Sequence, residues 1–314
     1  MRDMTGRPAL GVFTLSFDVE LAWGEFYRGP VGLERLLEAR RVFPSLLRLL
    51  ERYGIRATFA VVGHLLLAEC DGHPSMPRPH LPWRPQDWYD ADPRTNEARD
   101  PVWYAPSLVA LIRNSDPGHD VGAHGFSHIP LDEPGVTIEV AHAEIAESSR
   151  LLRAAGHAGV SFVFPRNGIH YREVLAEQQF ACYRAAERRW YQRSHRVVRR
   201  MGHLLDQALA ISPPVGHAER HGPLVEVPSS MLFLSREGIR RYLPLRARVE
   251  RARKGIVLAI ATGRVFHLWM HAEDLVPGAN LMLAALESVL SHVRRCADRG
   301  ELVIRTMAEL AVEM

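Results

Sequence analysis

Two histidines and two acidic residues are the side chains of this sequence best suited to chemistry. His124 and His128 follow a short apolar segment, and two imidazoles four residues apart on a helical turn lie on the same side and can share one cation. Gly125 stands at the second position of the pair, so the motif differs from the HExxH motif of zinc proteases. Taken alone, the pair could equally consist of ordinary polar loop residues.

Asp18 and Glu20 form a second polar cluster, at the end of the first apolar segment. If that segment is a strand, the two carboxylates project from the same face. On their own, such acids are more often helix caps or surface residues. In a (β/α) barrel, however, active sites gather at the carboxyl edge of the strands. The acids and the histidines together therefore predict a metal site that neither pair predicts alone.

The elements that must position these residues alternate between short apolar runs and longer amphipathic patterns, as in βα units around a parallel sheet. Strands are predicted at residues 11–17, 57–62, 119–123, 160–164, 181–185, 224–227, 265–270 and 302–304. Helices are predicted at residues 33–53, 107–114, 137–155, 172–178, 238–254 and 281–299. This order predicts an α/β fold with a distorted or incomplete (β/α) barrel, formed by residues 1–314 as a single domain.

Two segments interrupt the pattern. Residues 70–106 form a long proline-rich insertion whose tryptophans, Trp83, Trp88 and Trp103, could stack on sugar rings or simply hold the loop in place. Residues 186–210 are rich in arginine, and residues 190–209 have the pattern of an amphipathic helix. That helix could pack on the barrel in solvent, or it could lie at a membrane surface and attract anionic headgroups or a lipid-linked diphosphate.

Composition narrows the class of protein. The 39 basic and 36 acidic residues give a net charge of +3 with histidine neutral, which argues against a nucleic-acid-binding protein. Cys70, Cys182 and Cys296 are far apart without CxxC spacing, so neither a disulfide framework nor a structural zinc cluster is expected. We find no pattern of a signal peptide or of a transmembrane segment, and we therefore expect a cytoplasmic protein with at most peripheral membrane contact.

Five segments between residues 11 and 275 resemble, in order, the motifs of the polysaccharide deacetylase superfamily, also called the NodB-homology or carbohydrate esterase 4 superfamily. They are SFDVE at residues 16–20, ATFAVVG at 57–63, VGAHGFSH at 121–128, FPRN at 164–167 and FHLWMH at 266–271. The resemblance implies a distorted barrel of the NodB-homology type. It also implies a metal-dependent deacetylase.

The resemblance further implies roles for individual residues. Asp18 would be the general base, Arg166 would orient that base, and His271 would be the general acid, with His267 as an alternative acid. A divalent metal would be bound by one carboxylate and two imidazoles, those of Glu20, His124 and His128. Zinc is the first choice, although the same ligands suit other first-row ions. Val19 separates the two acids, whereas the commonest pattern of the family has adjacent aspartates.

The activity implied is removal of an N-acyl group, in particular N-acetyl, from an amino sugar or a glycoconjugate intermediate, which could be lipid-linked. Three other functions use similar residues. A deformylase or a hydrolase of a non-sugar amide would keep the metal site and change the pocket. A catalytically silent sugar- or lipid-binding relative would have lost that site. An iron-dependent oxygenase is disfavoured, because its motif usually places one histidine two residues from the acid.

Overall fold

The computed structural model describes residues 9–187 and 211–314. Within these two ranges, ten strands form one sheet that curls into an open barrel. Numbered β1–β10 in chain order, they are Gly11–Val19, Thr58–Val61, Asp120–Ala123, Ser161–Phe162, Cys182–Arg184, Glu219–His221, Leu224–Val227, Met231–Leu232, Val265–His271 and Leu302–Ile304. The amphipathic helix predicted at residues 190–209 lies outside the described residues.

The strand β1 lies in the interior of the sheet, with neighbours along both edges. One edge of β1 pairs in parallel with β9, and the other edge pairs with β10 near its start and with β2 near its end. From β2 the order continues through β3, β4, β5 and β7, all parallel, to the antiparallel β6. At the opposite end β8 pairs with β9. Within the described residues no pairing joins β8 to β6 or β7, which confirms the predicted incomplete barrel.

Seven helices accompany the sheet within the described ranges. Numbered α1–α7 in chain order, they are Leu33–Arg52, Pro106–Arg113, Ile138–Ala154, Arg172–Glu177, Leu245–Thr262, Ala279–Asp298 and Met307–Glu313. The helix α1 buries Leu36, Phe43, Leu46 and Leu50, the face that its helical period predicts. The helix α5 packs against β1 and β9, and β1 is accordingly buried on both faces from Phe13 to Val19.

Most predicted elements occur within two residues of their predicted ends, and the exceptions have local causes. The helix α5 spans Leu245–Thr262 rather than residues 238–254. Pro244 has no N–H to continue a helix through that position, and the helix ends only at Gly263, which has φ +62°. The helix α7 was not predicted, although Thr306 and Glu309 form a capping box at its start. The strands β6 and β8 have three and two residues, too few for a periodic pattern. None of the described helices is long and apolar enough to cross a membrane.

Candidate active site

Polar side chains gather at the carboxyl edge of the sheet. Asp18 is in β1 and Glu20 follows it, His124 follows β3, Arg184 ends β5 and His271 ends β9. Since these strands are parallel, their carboxyl ends meet at one edge of the barrel. Residues more than 200 positions apart in the sequence therefore lie beside one another.

The predicted metal ligands surround a single carboxylate oxygen. Glu20 Oε1 lies 3.0 Å from His124 Nε2 and 3.1 Å from His128 Nε2, and all three residues are buried. His271 Nε2 approaches the same oxygen at 3.6 Å. Donor atoms bound to a tetrahedral zinc at about 2.0–2.1 Å lie about 3.3 Å apart. The separations among these donors match that spacing.

The hydrogen bonding of His124 also fits a cation. Its Nδ1 lies 2.7 Å from the carbonyl oxygen of Val163, so the ring N–H is at Nδ1 and donates there. This leaves Nε2 directed at the carboxylate of Glu20, and a divalent cation between the two would be bound by the lone pair of Nε2 and by the carboxylate together. Histidines that ligate metals are oriented in this way by a backbone carbonyl. The residues present therefore fit a divalent metal.

The segment between the two histidines is a loop, and the prediction of a helical turn was wrong. Gly125 has φ +71° and His128 has φ +65°, so the chain turns through the left-handed region twice. Glu144 holds this loop: its Oε2 accepts the backbone N–H groups of Phe126 and Ser127 at 3.0 and 2.9 Å. The imidazoles converge because of this left-handed loop and not because of helical spacing.

Glu20 is positioned by hydrogen bonds of its backbone and by the space that Gly24 leaves beside it. Its N–H and that of Leu21 donate to Glu273 Oε1 at 3.0 and 2.5 Å. A Cβ atom at Gly24 would lie 1.9 Å from Glu20 Oε2, so glycine leaves room for an acid longer than aspartate. Burial raises the pKa of Glu20, but the neighbouring His128 and His271 lower it by a larger amount. The pKa of Glu20 therefore lies well below its usual value.

Asp18 forms a buried ion pair that sequence reasoning missed. Arg184 donates from Nη1 to Oδ1 at 2.7 Å and from Nη2 to Oδ2 at 2.6 Å, and both residues are 1% exposed. The guanidinium also lies 4.1 Å from the centre of the Trp269 ring and donates to Asn167 Oδ1 at 3.1 Å. Burial raises the pKa of Asp18, whereas the charge of Arg184 lowers it, with a net lowering. Asp18 is therefore held as a carboxylate.

Arg166 does not contact Asp18, in contrast to the expectation that it orients the base. It has φ +55° in the turn after β4, and its Nη1 reaches Glu133 at 3.2 Å with 41% of the side chain exposed. Arg184 occupies the position beside Asp18 that was predicted for Arg166. The signal that could have found it is its position at the carboxyl end of a predicted strand, the same rule that identified the acids.

His271, and not His267, faces the site. His271 Nδ1 lies 2.9 Å from Asp274 Oδ2, which leaves Nε2 directed at Glu20. Burial lowers the pKa of His271, but Glu20 and Asp274 outweigh it and raise the pKa to about 10. His267 is fully buried between Ser16 Oγ and the Pro228 carbonyl, and burial lowers its pKa to about 3. His271 can therefore carry a proton to the cleft.

The three tryptophans of the insertion divide into two groups. Trp88 and Trp103 are buried and hold the insertion in place, Trp88 by donating to the carbonyl of Ser127 at 3.0 Å. Trp83 is 42% exposed, and its ring lies 6.1 Å from that of Tyr27, which stacks on His128 at 5.9 Å. Of the three, only Trp83 offers a face to a ligand near the site.

A family model of polysaccharide deacetylase matches residues 26–186, just over half of the chain. The chain therefore belongs to the polysaccharide deacetylase family, as its motifs predicted. The matched span contains His124, His128 and Arg184. It does not contain Asp18, Glu20 or His271, whose place in the site rests on the structure.

Solved structures show the same fold at low identity. A protein described as a polysaccharide deacetylase from Mycobacterium smegmatis is 17% identical, with 100% of this chain and 93% of that chain covered and a TM-score of 0.63. A second such protein, from Pseudomonas aeruginosa PAO1, is 13% identical over 99% of this chain and 96% of that chain, with a TM-score of 0.60. An allantoinase is 12% identical over 96% and 89%, with a TM-score of 0.58. No curated protein matched the sequence.

Proposed function

We propose that this chain is a metal-dependent hydrolase that removes an N-acyl group, in particular N-acetyl, from an amino sugar or a glycoconjugate. The observation that carries the proposal is the convergence of two imidazole nitrogens, those of His124 and His128, on the carboxylate of Glu20. Asp18 and His271 stand beside this group in states suited to moving a proton. Membership of the polysaccharide deacetylase family supports the same chemistry.

A divalent cation held by Glu20, His124 and His128, with zinc the first choice, would polarise the amide carbonyl and activate a water molecule. The carboxylate of Asp18 would accept a proton from the attacking water, and Arg184 keeps the carboxylate ionised and oriented. His271 donates a proton from Nε2 to the departing amine nitrogen. The C–N bond breaks, and the products are a free amine and a carboxylate. Each proton transfer contributes about 10²–10⁴-fold in rate.

The cleft at the site supports a polar substrate. Its volume is about 200 Å³, and charges of both signs line it: the acids are Glu20, Glu25, Glu237, Glu273 and Asp274, and the basic residues are Arg28, Arg35, Arg240 and His271. Arg35 is paired with Glu25 and Glu237, so an anionic or lipid-linked diphosphate substituent of the amino sugar would be bound by Arg28 and Arg240, whose guanidinium groups suit phosphate and carboxylate oxygens. The exposed ring of Trp83 supports a sugar, because aromatic faces pack on sugar rings.

The three cysteines support a cytoplasmic reaction, because all of them are free. Thiols persist in the reducing cytoplasm, whereas disulfides are common in oxidising compartments. The proposal includes a peripheral membrane contact only for residues 190–209, the segment whose sequence predicts an amphipathic helix.

A hydrolase of a non-sugar amide is the second candidate. The fold shared with an allantoinase supports this candidate, and the small volume of the cleft is compatible with a small cyclic or formylated amide. The metal ligands and the base would be the same. Only the groups that contact the rest of the substrate would differ.

The test is release of acetate, formate or ring-opened product from a panel of N-acetylated amino sugars, sugar nucleotides, formyl amides and cyclic ureides. Wild type is compared with His124→Ala and with a matched control, His142→Ala, whose side chain is 52% exposed. We expect acetate release in wild type and in the control and none in His124→Ala. Turnover of cyclic ureides alone would favour the second candidate, and no turnover by the metal-loaded protein on any substrate would refute both.

A further inference from the structure

A second group of metal-ligating side chains lies apart from the catalytic residues, where the insertion meets the end of β2. His64 comes shortly after β2, whereas Cys70, His73 and Asp92 belong to the insertion. One donor atom from each of the four residues lies within 4.8 Å of the donors of the others. The proposed deacetylase reaction uses none of them.

Three of the donor atoms form a small triangle. His64 Nε2 lies 3.1 Å from His73 Nε2 and 3.2 Å from Asp92 Oδ2, and the third side, from His73 Nε2 to Asp92 Oδ2, is 2.8 Å. Cys70 Sγ lies 3.4 Å from His73 Nε2. Nitrogen and oxygen donors on tetrahedral zinc are about 3.3 Å apart, and a sulfur donor is slightly farther from them. The four donors thus have the spacing of one coordination sphere.

Hydrogen bonds alone cannot pair all three atoms of this triangle. His64 Nδ1 lies 3.2 Å from the carbonyl oxygen of Trp103, so the N–H of the neutral ring is at Nδ1 and the lone pair is at Nε2. Asp92 Oδ2 is also an electron-pair donor. The single N–H available at His73 Nε2 can bond well to only one of these two neighbours, whereas a cation in the centre would bind all of them.

The residues around these four side chains form hydrogen bonds that orient the ligand atoms, as in known metal sites. Asp92 Oδ1, the oxygen that faces away from the triangle, accepts hydrogen bonds from the Tyr104 hydroxyl at 2.5 Å and from the Arg94 N–H at 3.0 Å. The N–H of Gly72 donates to Cys70 Sγ at 3.2 Å, in a turn where Gly72 has φ +115°, a conformation that glycine adopts readily. Such outer contacts orient ligands and are typical of metal centres.

We infer that His64, Cys70, His73 and Asp92 bind a second divalent metal, of the zinc class, with a structural role. Four protein ligands close the coordination sphere, which distinguishes a structural zinc site from a catalytic one with an open position. The spacing Cys70-x-x-His73 supplies two ligands from one tight turn. The expectation that the cysteines would form no zinc cluster considered cysteine spacing alone, and only one cysteine is needed here.

This second site would fix the loop that carries the catalytic ligands. The N–H of His64 donates to the carbonyl of Phe126 at 2.8 Å, and Phe126 lies between His124 and His128 in the chain. The Phe126 ring packs against both His64 and His73, at 5.6 and 5.3 Å between centroids. A metal at the second site would therefore tie the insertion to the catalytic loop.

The test uses the His124→Ala variant, which lacks a ligand of the catalytic metal. After chelation and dialysis, Co²⁺ is added to the full-length protein and the near-ultraviolet absorption is recorded. We expect one equivalent of Co²⁺ to bind with a thiolate-to-cobalt charge-transfer band, and one equivalent of Zn²⁺ to abolish that band. Adding Cys70→Ser should remove the band, and adding Cys182→Ser, which replaces another buried thiol, should leave it unchanged.

Two results would overturn the inference: a folded His124→Ala protein that shows no band, or a band that survives Cys70→Ser. Elemental analysis gives an independent readout, with two zinc ions per chain expected in wild type and one in either His124→Ala or His73→Gln. The His73→Gln variant serves if Cys70→Ser does not fold. Acetate release is not used, so failure of the proposed deacetylase reaction would leave this test intact.

Discussion

Replacing Arg184 with methionine should destabilise the protein far more than the same change at Arg166. Arg184 forms two hydrogen bonds of 2.7 and 2.6 Å to Asp18, and both side chains are almost fully buried. Removing the guanidinium leaves an uncompensated buried carboxylate, which costs about 3–5 kcal/mol. At about 2 °C per kcal/mol for a large domain, Tm should fall by about 6–10 °C. Arg166→Met, which removes a solvent-exposed pair, should stay within about 0.5 kcal/mol of wild type.

Urea denaturation with a constant slope m measures these free energies of unfolding. The double variant Asp18→Asn, Arg184→Met removes both charges, and it should recover part of the loss with a coupling energy of at least about 1 kcal/mol. In the metal-loaded protein, Arg184→Met should also lower kcat by about 10²-fold or more through the misplaced base, with Arg184→Lys falling in between.

The reasoning would be refuted by an Arg184→Met variant that loses less than about 1 kcal/mol of stability. Equal effects of Arg184→Met and Arg166→Met on kcat would also refute it, because only Arg184 contacts the base. A kcat effect confined to Arg166→Met would restore the role that the motif implied for that residue.

Three further predictions concern the general acid, the tryptophans of the insertion and the buried Asp120. His271→Gln should lower kcat by about 10²–10⁴-fold, and His267→Gln should retain metal content and most of kcat, as steady-state kinetics and elemental analysis would show; a larger kcat effect at His267 would reverse the assignment. Trp83→Ala should raise KM for a sugar substrate without measurable loss of stability, whereas Trp88→Ala should cost about 3–5 kcal/mol in urea denaturation, and equal stability losses would contradict the different burial. Burial raises the pKa of Asp120 above its ordinary value of 3.8, so the protonated form is favoured in the folded state and the contribution of Asp120 to stability is lost as pH rises from about 4 through that raised pKa. The stability of Asp120→Asn relative to wild type should therefore increase across this pH range, and a difference independent of pH would refute the assignment.

The residues at strand ends could be predicted from the sequence because a parallel sheet leaves little choice. Asp18, Glu20, His124 and His271 follow or end apolar segments, and the carboxyl ends of those strands must meet. The partner of Asp18 could not be chosen in the same way. Arg166 and Arg184 both lie at the ends of neighbouring strands, and only the left-handed backbone at Arg166 directs it towards Glu133 instead of Asp18.

Contacts made by the insertion were beyond prediction for a different reason. A long irregular segment has no period, so nothing local brings Cys70 and Asp92 to His64. The same holds for the buried rings of Trp88 and Trp103, which resemble the exposed ring of Trp83 in the sequence. Their positions depend on how the whole insertion packs against β2 and the catalytic loop.

The central claim is that Glu20, His124 and His128 bind the metal on which amide hydrolysis depends. The most direct test is acetate release from an N-acetylated amino sugar by metal-depleted protein, before and after addition of Zn²⁺, in wild type and in Glu20→Ala. We predict that Zn²⁺ restores acetate release in wild type alone, and that Glu20→Ala binds one metal ion fewer per chain. Acetate release by the metal-depleted protein, or by Glu20→Ala at the wild-type rate, would contradict the account.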